Sequence, residues 1–221
     1  MVTASAAQWQ GSLFGLPEEP SAASAAPGRP ARTPIGLRRE QLAAGAWFEL
    51  AAGWAPEPDE LFCELATLAA WRAERRPMYD RIVDVPRLVA HYEPGQVLPG
   101  RALAGLQERI DARYRAELGE SLCGIGLCLY RDGRDSVAWH GDTLGRGGTE
   151  DTVVAIVSLG AARTFALRPR GGGPSRRLTL GHGDLLAMGG SCQRTWEHAV
   201  PKTSAPCGPR ISVQFRARGV R

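Results

Sequence analysis

The stretch DSVAWHGD, residues 135–142, determines how the rest of the chain is interpreted. It has the length and composition of a β-strand, in which side chains at positions i and i+2 point to the same face. His140 and Asp142 are therefore predicted to project together, while Trp139 points away into packing. Two imidazoles and one carboxylate on one side of a metal leave its other positions open for chemistry. The pair thus predicts two ligands of a three-ligand metal site.

His198 is the predicted third ligand, in the segment RTWEH at 194–198, 56 residues after Asp142. A jelly roll brings an early and a late strand side by side, so this separation suits such a site. Two neutral imidazoles and a carboxylate suit Fe(II) with three vacant positions. Zinc with the same ligands is left open by residue type.

The letters His-Gly-Asp occur a second time, at residues 182–184. Flanking glycines predict a tight turn between two strands there, and Asp184 is only 14 residues from His198, about one hairpin. We therefore predict a structural role for this second copy, in which His182 or Asp184 binds the backbone of the turn.

Hydrophobic periodicity predicts helices in the first half of the chain and strands in the second. A helix is predicted from Pro58 to about Arg75, ended by Pro77, and another at about 101–118, with an extended segment at 82–90 between them. After Gly119, turn residues separate short runs that predict strands at 124–131, 135–142, 152–160, 163–169, 176–181, 184–188, 194–200 and 210–218. This order favours an α+β fold with helices packed outside a β core.

The 221 residues suffice for one domain and a tail. Residues 1–35, rich in Ala, Ser, Pro and Gly, predict a disordered or loosely ordered tail, and residues 36–221 a single domain. The sequence shows neither a bilayer-spanning apolar run nor a secretory signal. Five cysteines without a C-x-x-C pair predict reduced thiols and a cytoplasmic protein, which we expect to be a monomer.

Positive charge is concentrated towards the end of the chain. The net charge is +4, yet the eleven basic residues from Gly160 to Arg221 face only Asp184 and Glu197. Such a distribution is compatible with a polyanionic partner such as nucleic acid. The alternative is solubility combined with a composition bias, since Lys202 is the only lysine.

The segment RISVQFR, residues 210–216, predicts a strand with strict alternation. Its apolar residues face one way, and its polar residues Arg210, Ser212, Gln214 and Arg216 face the other. The two arginines are about 20 Å apart along the strand and can lean towards one site between them. A guanidinium pairs with a carboxylate through two hydrogen bonds, so a dicarboxylate cosubstrate is a suitable partner. Two solvent-facing arginines on an edge strand are the alternative.

These motifs together resemble the AlkB family of Fe(II)- and 2-oxoglutarate-dependent dioxygenases, over about residues 78–218. The matching pieces are His140-x-Asp142, VSLG at 157–160, HGDL to GG at 182–190, the distal His198, and Arg210-x5-Arg216. Tyr130 matches the tyrosine of the family's Asn-x-Tyr element. The family's Asn is Cys128 here, and a thiol is a weaker hydrogen-bonding group than an amide.

The resemblance implies an α+β fold with a double-stranded β-helix (jelly-roll) core, outer helices and an N-terminal substrate lid. It implies Fe(II) held by His140, Asp142 and His198, with 2-oxoglutarate and O2 completing the coordination. The implied cosubstrate contacts are Cys128, Tyr130, Arg210, Ser212 and Arg216. Met78, Tyr79, Arg87 and Tyr92 lie where the lid should grip its substrate, with core packing as the alternative for Met78 and Tyr92.

The implied reaction is oxidative demethylation of alkylated bases such as 1-methyladenine and 3-methylcytosine in DNA. It releases formaldehyde and converts 2-oxoglutarate to succinate and CO2. The target base must leave the duplex stack to reach a buried iron. Two alternatives remain: the same chemistry on RNA, a protein or a small molecule, and a non-catalytic nucleic-acid-binding β-barrel.

Overall fold

Two antiparallel sheets and two long helices build the fold, which is described here from a computed structural model. The structure describes residues 36–78 and 81–220, and for 76–78 and 81 it describes the backbone alone. The predicted tail at 1–35 and the predicted lid residue Tyr79 lie outside the described residues, as does the side chain of Met78. None of the helices within the described ranges is long and apolar enough to cross a membrane.

After the second helix the chain consists mainly of strands, as the sequence predicts. In chain order they are β1 (Arg38–Gln41), β2 (Ala46–Ala51), α1 (Pro58–Leu68), β3 (Arg72–Met78), β4 (Arg81–Tyr92), α2 (Arg101–Leu118), β5 (Gly124–Tyr130), β6 (Val137–His140), β7 (Val154–Gly160), β8 (Arg163–Pro169), β9 (Arg176–Leu180), β10 (Asp184–Gly190), α3 (Cys192–Thr195), β11 (Trp196–Val200) and β12 (Arg210–Arg216).

The larger sheet has eight strands in the order β1-β2-β10-β7-β12-β5-β4-β3, and the smaller has four in the order β6-β11-β8-β9. Strands distant in sequence are therefore neighbours, and one cavity is lined by residues of both sheets. Strands β1 and β3 form the two edges of the larger sheet, and β6 and β9 those of the smaller. The α+β jelly-roll prediction is confirmed.

The first helix is shorter than predicted. It begins at Pro58, with Asp59 and Glu60 in its first turn near the positive end of the helix dipole, but it ends at Leu68 rather than near Arg75. Residues 72–78 instead form β3, which pairs with β4 as a hairpin at the sheet edge. The hydrogen-bonded ladder with a strand farther along the chain overrides the helical periodicity, which reports only local pattern.

The second helix matches its prediction and carries one buried stripe, consisting of Leu103, Leu106, Ile110 and Tyr114. These side chains share one core with the apolar face of β12, where Ile211, Val213 and Phe215 are fully buried. Alternation along β12 turns its polar residues to the opposite face, towards the smaller sheet. The helices thus cover the outside of the larger sheet and leave its inner face for the site.

A buried carboxylate ties α2 to the sheet. Glu49 on β2 is only 3% exposed and accepts hydrogen bonds from Arg39 Nε (2.7 Å), Arg113 Nη2 (3.1 Å) and the Tyr114 hydroxyl (3.0 Å). A buried charge is stable only when it is paired and hydrogen-bonded in this way. The cluster therefore fixes how α2 lies on the sheet.

Candidate active site

The two predicted histidine ligands lie opposite one another on paired strands. His140 at the end of β6 is the register partner of His198 on β11, and their ring centroids are 4.2 Å apart. His140 Nδ1 lies 2.9 Å from the Ala138 carbonyl oxygen, so this nitrogen donates and Nε2 keeps its lone pair. His198 is buried and stacks on Phe165, with ring centroids 5.3 Å apart.

Asp142 lies just beyond the end of β6, in a loop rather than in the predicted strand. The Asp142 carboxylate nevertheless lies next to His140, with Oδ1 3.9 Å from His140 Nε2. Gly141 makes this path possible, because a Cβ there would lie 2.3 Å from the carbonyl oxygen of Gln193. The Gln193 side chain fixes the loop by accepting a hydrogen bond from the Asp142 backbone nitrogen at 3.0 Å.

The electrostatics of the triad suit a metal. Burial lowers the pKa of His198 to about 3, so its imidazole is neutral at physiological pH. Burial would raise the pKa of Asp142, but Arg216 and the two imidazoles outweigh it and hold that pKa well below its ordinary value. Arg216 Nε donates to Asp142 Oδ2 at 2.8 Å and leaves Oδ1 towards His140. One ligand atom from each of the three residues lies within 4.8 Å of the others, so the donor set fits a divalent cation such as Fe(II).

The triad opens into a cavity of about 570 Å³ between the two sheets. Val137, Phe165 and Val200 of the smaller sheet are among its apolar lining residues. Its polar wall comes from the larger sheet, with Cys128 and Tyr130 on β5 and the inward face of β12. The predicted cosubstrate residues Cys128, Tyr130, Ser212 and Arg216 all line this cavity.

Arg210 lies at the opposite end of β12 from the triad and is 1% exposed. Its Nε donates to the Ser158 hydroxyl at 2.9 Å, and its guanidinium lies 5.1 Å from the centre of the Tyr130 ring. Its Nη1 is buried and has no hydrogen-bond partner among the described residues. A buried guanidinium with an unused donor is costly without an anion. This donor, next to Tyr130, fits the far carboxylate of a dicarboxylate cosubstrate.

The predicted lid residues that the structure describes differ in their surroundings. Arg87 on β4 lies against the cosubstrate end of the cavity, where Nε is 3.4 Å from Cys128 Sγ and Nη1 donates to the Ser136 carbonyl at 3.1 Å. The Tyr92 hydroxyl accepts a hydrogen bond from the Ala70 backbone nitrogen at 3.2 Å. Both residues line the cavity, and a substrate-binding role for them remains a prediction.

The second His-Gly-Asp copy is structural, as predicted. Asp184 Oδ2 accepts a hydrogen bond from the Gly181 backbone nitrogen at 2.7 Å, and Oδ1 accepts one from Gly53 at 2.9 Å. The Gly160 backbone nitrogen donates to His182 Nδ1 at 2.7 Å. These contacts stabilise the turn between β9 and β10 and its neighbours. His182 Nε2 also lies 3.1 Å from Asp59 Oδ1 on α1, so both residues have structural partners.

At least six basic residues of the last third are turned inward or ion-paired within the chain, which reduces the basic surface that the sequence predicts. Arg163, Arg210 and Arg216 point inward, whereas Arg168, Arg176 and Arg194 are ion-paired with Glu197, Glu40 and Asp151. Arg168 also stacks on Trp139, with its guanidinium 4.2 Å from the ring centre. Trp139 is thus turned away from the metal ligands, as predicted, but it is only half-buried.

Arg163 and Gln193 were not predicted as site residues, and both act on the backbone around the triad. Arg163 is 4% exposed and donates to the carbonyl oxygens of Asp132 (2.9 Å), Asp135 (2.9 Å) and Pro201 (2.8 Å). It therefore links the loop before β6 to the loop after β11. Neither residue belongs to a recognisable motif, and their contacts join residues that are 28 to 51 positions apart in the sequence.

Comparison with known proteins agrees with this geometry. Residues 106–216 match the family model of the 2OG-Fe(II) oxygenase superfamily. The chain is 34% identical over 161 residues to human alpha-ketoglutarate-dependent dioxygenase alkB homolog 3, covering 67% of this chain and 50% of that protein. It is 34% identical over 134 residues to DNA oxidative demethylase ALKBH2 of Arabidopsis thaliana, covering 50% of this chain and 42% of that protein. The chain spans about half the length of the curated relatives it matches.

Solved structures show the same fold at low sequence identity. A 2OG-Fe(II) oxygenase family oxidoreductase from Burkholderia pseudomallei has a TM-score of 0.50 and 16% identity, covering 74% of this chain and 80% of its own. The structure of OsALKBH1 has a TM-score of 0.53 and 13% identity, covering 82% of this chain and all of its own.

Proposed function

The chain belongs to the 2OG-Fe(II) oxygenase superfamily, among its AlkB homologues, and on that premise we propose that it oxidatively demethylates alkylated bases in DNA. The supporting observation is a single cavity with a His-Asp-His triad in one wall and the unused Arg210 donor behind the other. Substrates of the 1-methyladenine and 3-methylcytosine type would lose their methyl group as formaldehyde, while 2-oxoglutarate becomes succinate and CO2.

His140, Asp142 and His198 would hold Fe(II), and Arg210 with Tyr130 would hold the far carboxylate of 2-oxoglutarate. When bound, iron, 2-oxoglutarate and O2 supply the oxidising chemistry that hydroxylates the N-methyl carbon. The protein contributes position and electrostatics. Arg216 keeps Asp142 ionised and oriented, and burial keeps the His198 lone pair available for a metal.

The cavity also suits a base extruded from its stack. The His140 side chain is 37% exposed, so one part of its ring faces the open space while Nε2 faces the triad. A flat base can stack on such a ring. Val137, Phe165 and Val200 give part of the cavity wall an apolar surface, which suits the faces of a base.

An anaerobic incubation tests the proposal directly. Protein, Fe(II), 2-oxoglutarate and an oligonucleotide containing 1-methyladenine are mixed, air is admitted, and formaldehyde, succinate and repaired base are measured. We expect all three products in matching amounts, and we expect His140→Ala to abolish them because the metal loses a ligand. Comparing single-stranded DNA, duplex DNA and RNA then identifies the preferred nucleic acid.

The second His-Gly-Asp copy provides a matched control. His182→Ala changes the same residue type in the same three-letter motif, but its contacts are with the Gly160 backbone nitrogen and with the Asp59 carboxylate, 3.1 Å from His182 Nε2. It should retain product formation after correction for the folded fraction. Equal loss in both variants, or no succinate from the wild-type protein, would contradict the proposed chemistry.

We further propose that the protein acts as a monomer in the cytoplasm. All five cysteines are free thiols, which fits a reducing compartment. Sedimentation at micromolar concentration should give the mass of one chain, and a larger species would contradict the proposed state.

A further inference from the structure

Gln214 is an inward-facing polar residue of β12 that belongs neither to the His-Asp-His triad nor to the predicted cosubstrate contacts. Its side chain is 7% exposed and lines the cavity between Ser212 and Arg216. Burying a primary amide without hydrogen bonds is unfavourable, so its partners show what the residue does.

The Gln214 amide contacts two predicted cosubstrate residues. Its Nε2 donates to the Ser212 hydroxyl oxygen at 2.8 Å and to the Ser212 carbonyl at 3.1 Å. Its Oε1 lies 3.9 Å from Cys128 Sγ, on the strand facing it. Since the Ser212 oxygen already accepts from the amide, its own hydrogen is available to a different acceptor. The space open to that hydrogen is the cavity, which Ser212 lines.

The backbone opposite Gln214 is shaped for this amide. Gly126 on β5 is the register partner of Gln214. A Cβ at Gly126 would lie 2.8 Å from Gln214 Oε1 and 2.9 Å from Arg216 Nη1. Any larger residue at position 126 would displace the carboxamide, so the glycine and the glutamine form one arrangement.

We propose that Gln214 is a positioning residue for 2-oxoglutarate, acting by directing the Ser212 hydroxyl hydrogen at the bound cosubstrate. The inference rests on the proposed function. At position 128 the AlkB-family asparagine is replaced by Cys128, whose thiol is a weak hydrogen-bonding group. Gln214 supplies an amide close to Cys128 from the neighbouring strand β12. Cys128, Gln214 and Ser212 together therefore provide the hydrogen bonding that the asparagine would provide.

Binding of 2-oxoglutarate to the Mn(II)-loaded protein, measured anaerobically by calorimetry without nucleic acid, tests this role. Gln214→Met keeps the side-chain length and removes the amide. We expect about 10-fold weaker binding, the usual scale for one hydrogen bond to a charged group. Ser212→Ala should cause a similar loss. Because both substitutions act through one hydroxyl, the double variant should bind 2-oxoglutarate with an affinity within about twofold of that of the single variant that binds less tightly.

A rescue variant and a matched control complete the test. Cys128→Asn in the Gln214→Met background should restore affinity to within about threefold of wild type, because it returns an amide to the row. Gln107→Met removes a half-buried amide on α2 that donates to the carbonyl oxygen of Cys123, and this variant should bind 2-oxoglutarate as the wild type does. If Gln214→Met does not fold, Gln214→Glu replaces it. A carboxylate there accepts the Ser212 hydrogen, so weaker binding is again expected.

The outcomes separate the two levels of inference. Wild-type affinity in Gln214→Met, or fully additive losses in the double variant, would overturn the role of Gln214 and leave the proposed function standing. Absence of 2-oxoglutarate binding by the wild-type protein would overturn the proposed function and this inference with it.

Discussion

Replacing Arg163 by Met should destabilise the protein strongly, although the residue is not part of the triad and its guanidinium meets the predicted cosubstrate residues only over the face of Tyr130, 5.7 Å from the ring centre. Its guanidinium is buried and makes three hydrogen bonds of 2.8–2.9 Å to the carbonyls of Asp132, Asp135 and Pro201. Hydrogen bonds to a charged group contribute about 1.5 kcal/mol or more each. Three lost bonds, allowing for non-additivity, predict a loss of about 3–5 kcal/mol in the free energy of unfolding.

Urea unfolding followed by circular dichroism measures this loss. For a chain of this size it corresponds to a decrease in Tm of roughly 6–20 °C. Arg134→Met is the matched control, because Arg134 is exposed and its ion pair is with Asp132 in the same loop, so its replacement should leave the unfolding midpoint unchanged. A loss below about 1 kcal/mol in Arg163→Met would refute the reasoning that these buried bonds hold the two loops together.

Three further predictions concern the glycine opposite the Gln214 amide, a buried thiol and a buried carboxylate. Gly126→Ala should weaken 2-oxoglutarate binding by roughly 5-fold or more, because its Cβ would displace the side chains of Gln214 and Arg216. Gly105→Ala, where a Cβ meets nothing within 4 Å, should bind 2-oxoglutarate as the wild type does. Calorimetry measures both affinities. Burial raises the pKa of Cys192 from 9.0 to about 12, so above pH 9 only the unfolded chain releases this proton. Wild-type stability should therefore fall by about 1.4 kcal/mol per pH unit more steeply than that of Cys192→Ala between pH 9 and 11, and equal slopes in urea unfolding would contradict this. Glu49→Ala should cost about 2 kcal/mol in the same assay, because the buried Tyr114 hydroxyl loses its acceptor, whereas Arg39 and Arg113 are exposed enough to be solvated by water; an unchanged midpoint would count against that role.

The proximity of His140, Asp142 and His198 could be predicted from sequence, because this combination of residues is rare and its spacing is informative. Asp142 shows the limit of that argument, since it lies in a loop and reaches His140 through a path that only Gly141 permits. Local periodicity also extended α1 through residues that pair with β4 instead. Residues 194–195, predicted as strand, belong to the short helix α3.

The supporting contacts could not be predicted, because they depend on chain segments that approach one another only in the folded state. Gln193 reaches Asp142 across 51 residues, and Arg163 bonds three carbonyls that no side-chain pattern reveals. The role of Gln214 depends on its register with Gly126, a pairing between strands 88 positions apart in the chain.

Two adjacent arginines occur on three of the four edge strands: Arg38-Arg39 on β1, Arg75-Arg76 on β3 and Arg176-Arg177 on β9. An unpaired strand edge is a template for another chain to add to, and adjacent like charges oppose that aggregation. Since Arg39, Arg75 and Arg176 are ion-paired with Glu49, Asp84 and Glu40, we expect only a modest electrostatic repulsion between the sheet edges of two molecules. Since salt screens such repulsion within about 10 Å at 0.1 M, the protein should aggregate more readily as ionic strength rises.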